Sequence, residues 1–154
     1  MLWVGLGNPG PDYRLNRHNV GFMALESIAS EYGFSQWRTK AGLCISEGRI
    51  GSQKIIALKP QSFMNKSGLP VAETARYYKI APADITVFHD EIDLDCGQIK
   101  IKNGGGHNGH NGLKSIDQSI GKGYNRVRIG VSRPSRLYEK NINEKYDNII
   151  FNNN

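Results

Sequence analysis

A histidine at position 18, an aspartate at position 90 and asparagines at positions 8, 65 and 111 are the residues whose types can do chemistry together in this sequence. A neutral imidazole near its ordinary pKa of about 6.5 takes a proton from water at physiological pH. A carboxylate bonded to its second nitrogen fixes the tautomer and stabilises the imidazolium that forms. His18 with Asp90 can supply that pair, and such general-base assistance is typically worth roughly 10²–10⁴-fold. Attack of water on a carbonyl carbon also creates an oxyanion, which needs aimed donors. Asn65, Asn111 and nearby backbone N–H groups are the candidates, and carboxamides can in addition read a peptide backbone. Ser62 and Ser67 stand outside any G-x-S-x-G elbow, and Cys44 and Cys96 have no evident basic partner. Direct attack by water, without a covalent intermediate, is therefore expected.

The elements that must position these groups follow from the pattern of apolar residues. Trp3-Val4-Gly5-Leu6 reads as a short buried strand that stops at the turn cluster Gly7-Asn8-Pro9-Gly10-Pro11-Asp12. A helix is expected from about His18 to Tyr32, on the spacing of Phe22, Leu25, Ala29 and Tyr32. Two strands are expected over residues 41–58, with Gly48 and Gly51-Ser52 between them. Ser67 is the expected cap of a second helix carrying Val71, Ala75 and Tyr78. Ile85-Thr86-Val87-Phe88 is a third buried strand ending at His89-Asp90-Glu91, and residues 98–102 alternate like a half-exposed strand. After Gly104-Gly105-Gly106 comes a helix with Leu113, Ile116 and Ile120 on one face, then a last strand over residues 126–131.

Strands alternating with helices argue for an α/β fold, one domain over residues 1–154 with a mixed, twisted sheet and helices on both faces. In open sheets of this class, ligands bind beyond the carboxyl ends of the strands. Asn8, Phe63-Met64-Asn65 and His89-Asp90 each follow a buried strand, so parallel neighbouring strands would bring them into one crevice that His18 can reach. Each also has a purely local reading: Asn8 and His89-Asp90 as turn chemistry, Asn65 as a helix entry.

Other motifs carry less. His107 and His110 have a ligand-like spacing but no convincing third ligand, so no metal is expected. The Gly104–Gly109 run fits close backbone approach to a substrate, and Asn111 either caps the following helix or faces the crevice. Gly5-Leu6-Gly7-Asn8-Pro9-Gly10 matches G-x-G-x-x-G, yet Pro9 and Pro11 remove donors that a dinucleotide pyrophosphate would need, and no suitable acid follows.

The net charge of +6 falls wholly within residues 97–154, which suggests a polyanion partner. Lys100 with Lys102, and Arg126 with Arg128, share strand faces and can contact phosphates without reading sequence. No apolar run approaches the roughly 20 residues of a membrane helix. The opening Met1-Leu2-Trp3-Val4-Gly5 has no export-signal pattern, and the two distant cysteines fit reduced thiols. A cytoplasmic location is expected.

Four ordered motifs resemble bacterial-type peptidyl-tRNA hydrolases. They are Gly5–Gly10 with Tyr13 and Arg17-His18-Asn19-Val20-Gly21, Lys59–Gly68, His89-Asp90-Glu91-Ile92-Asp93-Leu94, and Gly104–Lys114. The resemblance implies a monomer without metal or cofactor that hydrolyses the ester joining peptide to tRNA, with His18 as base and Asp90 holding it. It implies that Asn8 helps tell a blocked peptide from a free amino group. It places Tyr13, Phe63, Asn65 and Asn111 at the substrate end of tRNA, and Lys102 and Arg128 at its phosphates. Asn108 stands where the family usually has glycine, and Cys96 where it often has proline. After about Pro134 the resemblance gives way to an Asn- and Lys-rich tail, residues 135–154, where relatives usually carry a helix over the cleft. A binding module that keeps the fold without turnover is the alternative class; the presence of His18, Asp90 and Asn65 favours the enzyme.

Overall fold

Apolar residues of opposite parity along the strands go to two separate cores, and that parity builds the fold. The computed structural model describes residues 1–132. In chain order its elements are β1 (Leu2–Gly5), α1 (Val20–Glu31), β2 (Arg38–Lys40), β3 (Leu43–Ile50), β4 (Gln53–Pro60), α2 (Gly68–Tyr77), β5 (Ile85–Glu91), β6 (Ile99–Asn103), α3 (Asn111–Ile120) and β7 (Asn125–Gly130). Leu2, Val4, Ile56, Leu58, Ile85 and Val87 point to one face, where Val71 and Ala75 of α2 and Leu113 and Ile116 of α3 cover them. Trp3, Ala57, Phe88 and Ile129 point to the other, against Val20 and Leu25 of α1.

The sheet has seven strands in the order β2-β3-β4-β1-β5-β7-β6. Its centre, β4-β1-β5-β7, is parallel, and antiparallel pairs close both flanks. This is the expected mixed α/β sheet with helices on both faces. The condition for a shared crevice is also met: β4, β1 and β5 are parallel neighbours, so residues following them emerge along one edge.

Several local expectations give way. Gly48 is not between strands but inside β3, where a Cβ would come within 2.1 Å of the Phe34 ring; it is there for close packing, and Gly51-Ser52 alone makes the turn. Ser67 does not cap α2 with its side chain, because its Oγ donates to the Met64 carbonyl instead. β2 was not anticipated, since its three exposed residues, Arg38-Thr39-Lys40, carry no apolar alternation. β6 is exposed on both faces rather than half-buried, with Ile101 79% accessible. The expected atypical tail, 135–154, lies outside the described residues.

One contact between glycines sets where α1 begins. A Cβ on Gly21 would lie 2.3 Å from the Phe88 carbonyl oxygen and 2.6 Å from the Leu6 nitrogen, and one on Gly5 would lie 2.4 Å from the Gly21 oxygen. The first turn of α1 therefore rests directly on the backbones of β1 and β5. The short 3-10 turn Arg17–Asn19 precedes it and is carried onto the end of β5. Asn16 Oδ1 accepts the His18 N–H at 2.9 Å and shapes that turn.

Overpacking against backbone that cannot retreat costs roughly 1–3 kcal/mol. Gly21→Ala is expected to lower unfolding stability by about that amount in chemical denaturation; an unchanged midpoint would refute the close approach.

Candidate active site

The carboxylate of Asp90 is buried near the end of β5 and takes two imidazoles. Its Oδ2 lies 2.6 Å from His18 Nδ1 and its Oδ1 lies 2.7 Å from His110 Nε2. Both tautomers follow from the partners. His110 Nδ1 accepts the N–H groups of Gly112 and Leu113 at 3.1 and 3.2 Å, so its proton must sit on Nε2 and point at Asp90. His18 donates its Nδ1 proton to the same carboxylate, which leaves Nε2 as a free acceptor. The His18 side chain is 44% accessible, so that nitrogen can meet a solvent molecule.

The electrostatics follow the same geometry. Burial opposes the charge on Asp90, but hydrogen bonds from His110 and His18 outweigh it and hold the carboxyl well below the ordinary carboxylate range. The bond to Asp90 raises the His18 pKa above its usual value, against a smaller opposing effect of burial. His89, the strand neighbour of Asp90, is pushed down to about 4 by burial and by the nearby His110, so it is neutral. The site thus holds a buried carboxylate beside a neutral His89, and the bond to Asp90 favours a proton on His18.

Asn8 forms the opposite wall. Its Oδ1 accepts the Met64 N–H at 2.7 Å, so its Nδ2 hydrogens remain for the cleft. Buried Asn19 clamps the Asn8 backbone from both sides: Asn19 Oδ1 accepts the Asn8 N–H and Asn19 Nδ2 donates to the Asn8 carbonyl, each at 2.8 Å. A cleft of about 270 Å³ results, lined by Asn8, His18, Met64, Asp90, His110 and Asn111 together with Glu91, Ile92, Asn108 and Gly109.

Of the residues singled out in the sequence, Asn8, His18, Asp90 and Asn111 line this cleft. Asn111 is the first residue of α3, and His110 rather than Asn111 caps that helix. Asn65 sits on the exposed 3-10 turn Met64–Lys66 beside the cleft without lining it. Tyr13 and Phe63 are exposed and pack edge to face, with centroids 6.2 Å apart. Lys102 and Arg128 line a separate small chamber that shares Glu91, Asn108 and His110 with the cleft.

One reading of the basic residues changes. Arg126 is buried and structural: its guanidinium donates to the carbonyls of Gly106 at 2.6 Å and Gly105 at 2.9 Å, which braces the glycine loop. Arg128 is paired with Glu91 at 2.7 Å. Three contributors escaped the sequence reading: His110, Asn19 and Glu91. A histidine cap leaves no periodic trace, and Asn19 looks like any helix-start asparagine. Asn108 adopts a left-handed φ of 49°, a conformation that asparagine tolerates better than most residues.

The model of the peptidyl-tRNA hydrolase family matches residues 2–146, past the point where the motifs fade. A peptidyl-tRNA hydrolase of Dinoroseobacter shibae is 56% identical over 133 residues, covering 86% of this chain and 57% of that protein. One of Paracoccus denitrificans is likewise 56% identical, with the same coverage of each chain. The chain spans a little over half the length of the curated relatives it matches. Among solved structures, the Arg119Gln mutant of peptidyl-tRNA hydrolase from Acinetobacter baumannii superposes with a TM-score of 0.86 at 36% identity, covering 97% of this chain and 80% of that one.

Proton titration tests the geometry independently of any substrate. By NMR the His18 imidazole should titrate above 6.5, and Asp90→Asn should bring it down because the hydrogen bond and charge that favour the imidazolium are removed. An unmoved titration in the variant would contradict the pairing.

Proposed function

Since the chain belongs to the peptidyl-tRNA hydrolase family, we propose that it hydrolyses the ester between a peptide and the terminal ribose of tRNA, recycling tRNA from prematurely released peptidyl-tRNA. The observation that carries this reading is the His18–Asp90 pair at 2.6 Å, with the second nitrogen of His18 open to the cleft. Water bonded to His18 Nε2 gives up its proton as its oxygen adds to the ester carbonyl. The imidazolium forms beside a carboxylate that is already charged, so Coulombic attraction stabilises it as it appears.

The oxyanion needs donors, and the Nδ2 hydrogens of Asn8 together with Asn111 at the start of α3 are the groups that line the cleft for it. When the tetrahedral intermediate collapses, the proton on His18 passes to the departing ribose oxygen. The products are a peptide acid and tRNA with a free hydroxyl, and the base is regenerated. No cofactor is needed for this sequence of proton transfers.

The rest of the substrate has matching surfaces. The exposed Tyr13–Phe63 pair offers aromatic faces for unpaired terminal bases, beside Asn65. Lys102, and the edge of Arg128 not committed to Glu91, would meet phosphates. Among the described residues no helix is long and apolar enough to cross a membrane. We place the protein in the cytoplasm as a monomer.

Purified protein should release tRNA from N-blocked aminoacyl-tRNA and spare the unblocked form. His18→Ala should lower kcat by about 10²–10⁴-fold while tRNA affinity is retained; equal turnover would reject His18 as base. Because only the neutral imidazole accepts a proton, the rate should fall as pH drops through the raised His18 pKa, with the midpoint above 6.5. Replacing Lys102 with Ala should weaken binding to all tRNAs alike and flatten the salt dependence, and an unchanged slope would exclude a phosphate contact.

A further inference from the structure

His89 is buried beside the site, yet none of the chemistry above uses it. Its Nδ1 donates to the carbonyl oxygen of Asp90 at 2.8 Å, because a carbonyl can only accept. Its ring stands edge-on to the His110 ring, with centroids 5.2 Å apart. His89 therefore touches both the backbone of the buried carboxylate residue and the second imidazole that carboxylate accepts from. It is not among the residues that line the cleft.

The other ring nitrogen of His89 is the informative atom. With Nδ1 protonated, Nε2 is an acceptor, and it is fully buried without a partner among the described residues. Arg126 presents a complementary group: its Nη1 and Nη2 donate to the glycine-loop carbonyls, Nη2 also lies 3.4 Å from Asp117 Oδ1, and its Nε–H is likewise buried and without a hydrogen-bond partner among the described residues. Both residues line the same small chamber, which has about 10 Å³ of room for a solvent centre, close to that of one water. A water seated between them would be offered one acceptor and one donor, so the polarity at the two ends is complementary.

We infer that one buried water bridges Arg126 Nε–H and His89 Nε2 in this chamber, and that His89, so held in its Nδ1–H form, is a positioning residue for Asp90. The chain of bonds runs from the Gly105 and Gly106 carbonyls through Arg126, the water and His89 to the Asp90 backbone. It ties the loop that delivers His110 to the strand that delivers Asp90. The charged and titratable groups facing His89 are Asp90 on its own strand, His110 at the head of α3 and Arg126 on β7. Glu91, Lys102, His107 and Arg128 complete the lining of the chamber. Burial above all, with His110 and Arg126 beside it, disfavours a second proton on His89, so its ring stays neutral through the working range.

The assignment rests on the hydrolase reading for its kinetic consequence, but its spectroscopic consequence does not. Nitrogen-15 NMR of the wild-type protein should show His89 as a neutral Nδ1–H imidazole from pH 5 to 9. Observation of the Nε2–H form, or of titration within that range, would overturn the bridge. In hydrolysis of N-blocked aminoacyl-tRNA, His89→Leu should reduce kcat about tenfold with KM within about twofold, and lower the His18 titration midpoint. His89→Asn, which keeps a short N–H donor for the Asp90 carbonyl, should restore most of the rate. A folded His89→Leu protein with wild-type kcat would reject the positioning role. If the leucine variant does not fold, the wild-type spectrum still decides whether His89 holds the tautomer that the bridge requires, and the asparagine variant still decides the rate. A wild-type protein without turnover would count against the hydrolase reading and leave the spectroscopic test intact.

Discussion

The site depends on keeping one carboxylate charged where water does not reach it. A buried anion left alone costs several kcal/mol, enough to make it take up a proton instead. Asp90 avoids this by accepting from His18 and His110 at once. Neither imidazole needs to be charged to do so, and the second is held in the right tautomer by the first N–H groups of α3. The negative charge is therefore in place before any proton arrives on His18.

That arrangement is assembled from three directions, and backbone contact rather than side-chain chemistry sets its tolerances. Gly21 lets the head of α1 rest on β1 and β5, which carries His18 to the end of β5. Asn19 pins Asn8 just after β1. Arg126 holds the glycine loop through its carbonyls, and so fixes the approach of His110 to Asp90. None of these braces is itself reactive. Their shared effect is that the reactive groups have few ways to move relative to each other.

This division explains what the sequence makes legible. The parallel centre of the sheet and the gathering of Asn8, His18 and Asp90 were readable because buried strands announce themselves as apolar runs and ligands collect at their carboxyl ends. What escaped was set by contacts between residues distant in sequence. A histidine accepting from two helix N–H groups looks the same in sequence as a loop histidine near glycine. Arg126 alternates with Val127 just as a solvent-facing arginine would, and only the packing of α3 and the glycine loop shows that it points inward. β2 had no apolar signal because it adds a rung to the sheet without adding to either core.

Among the described residues β6 is the last strand on its flank, which has its own physical consequence. A strand exposed on both faces, with Ile99 and Ile101 uncovered among the described residues, offers its outer backbone groups to any other strand that meets it. Lys100 and Lys102 interrupt that invitation. Two copies pairing along this edge would crowd four ammonium groups together and strip them of solvent. The two lysines thus set charge repulsion against self-association along this edge, and replacing them with neutral residues would leave its apolar side chains free to drive aggregation.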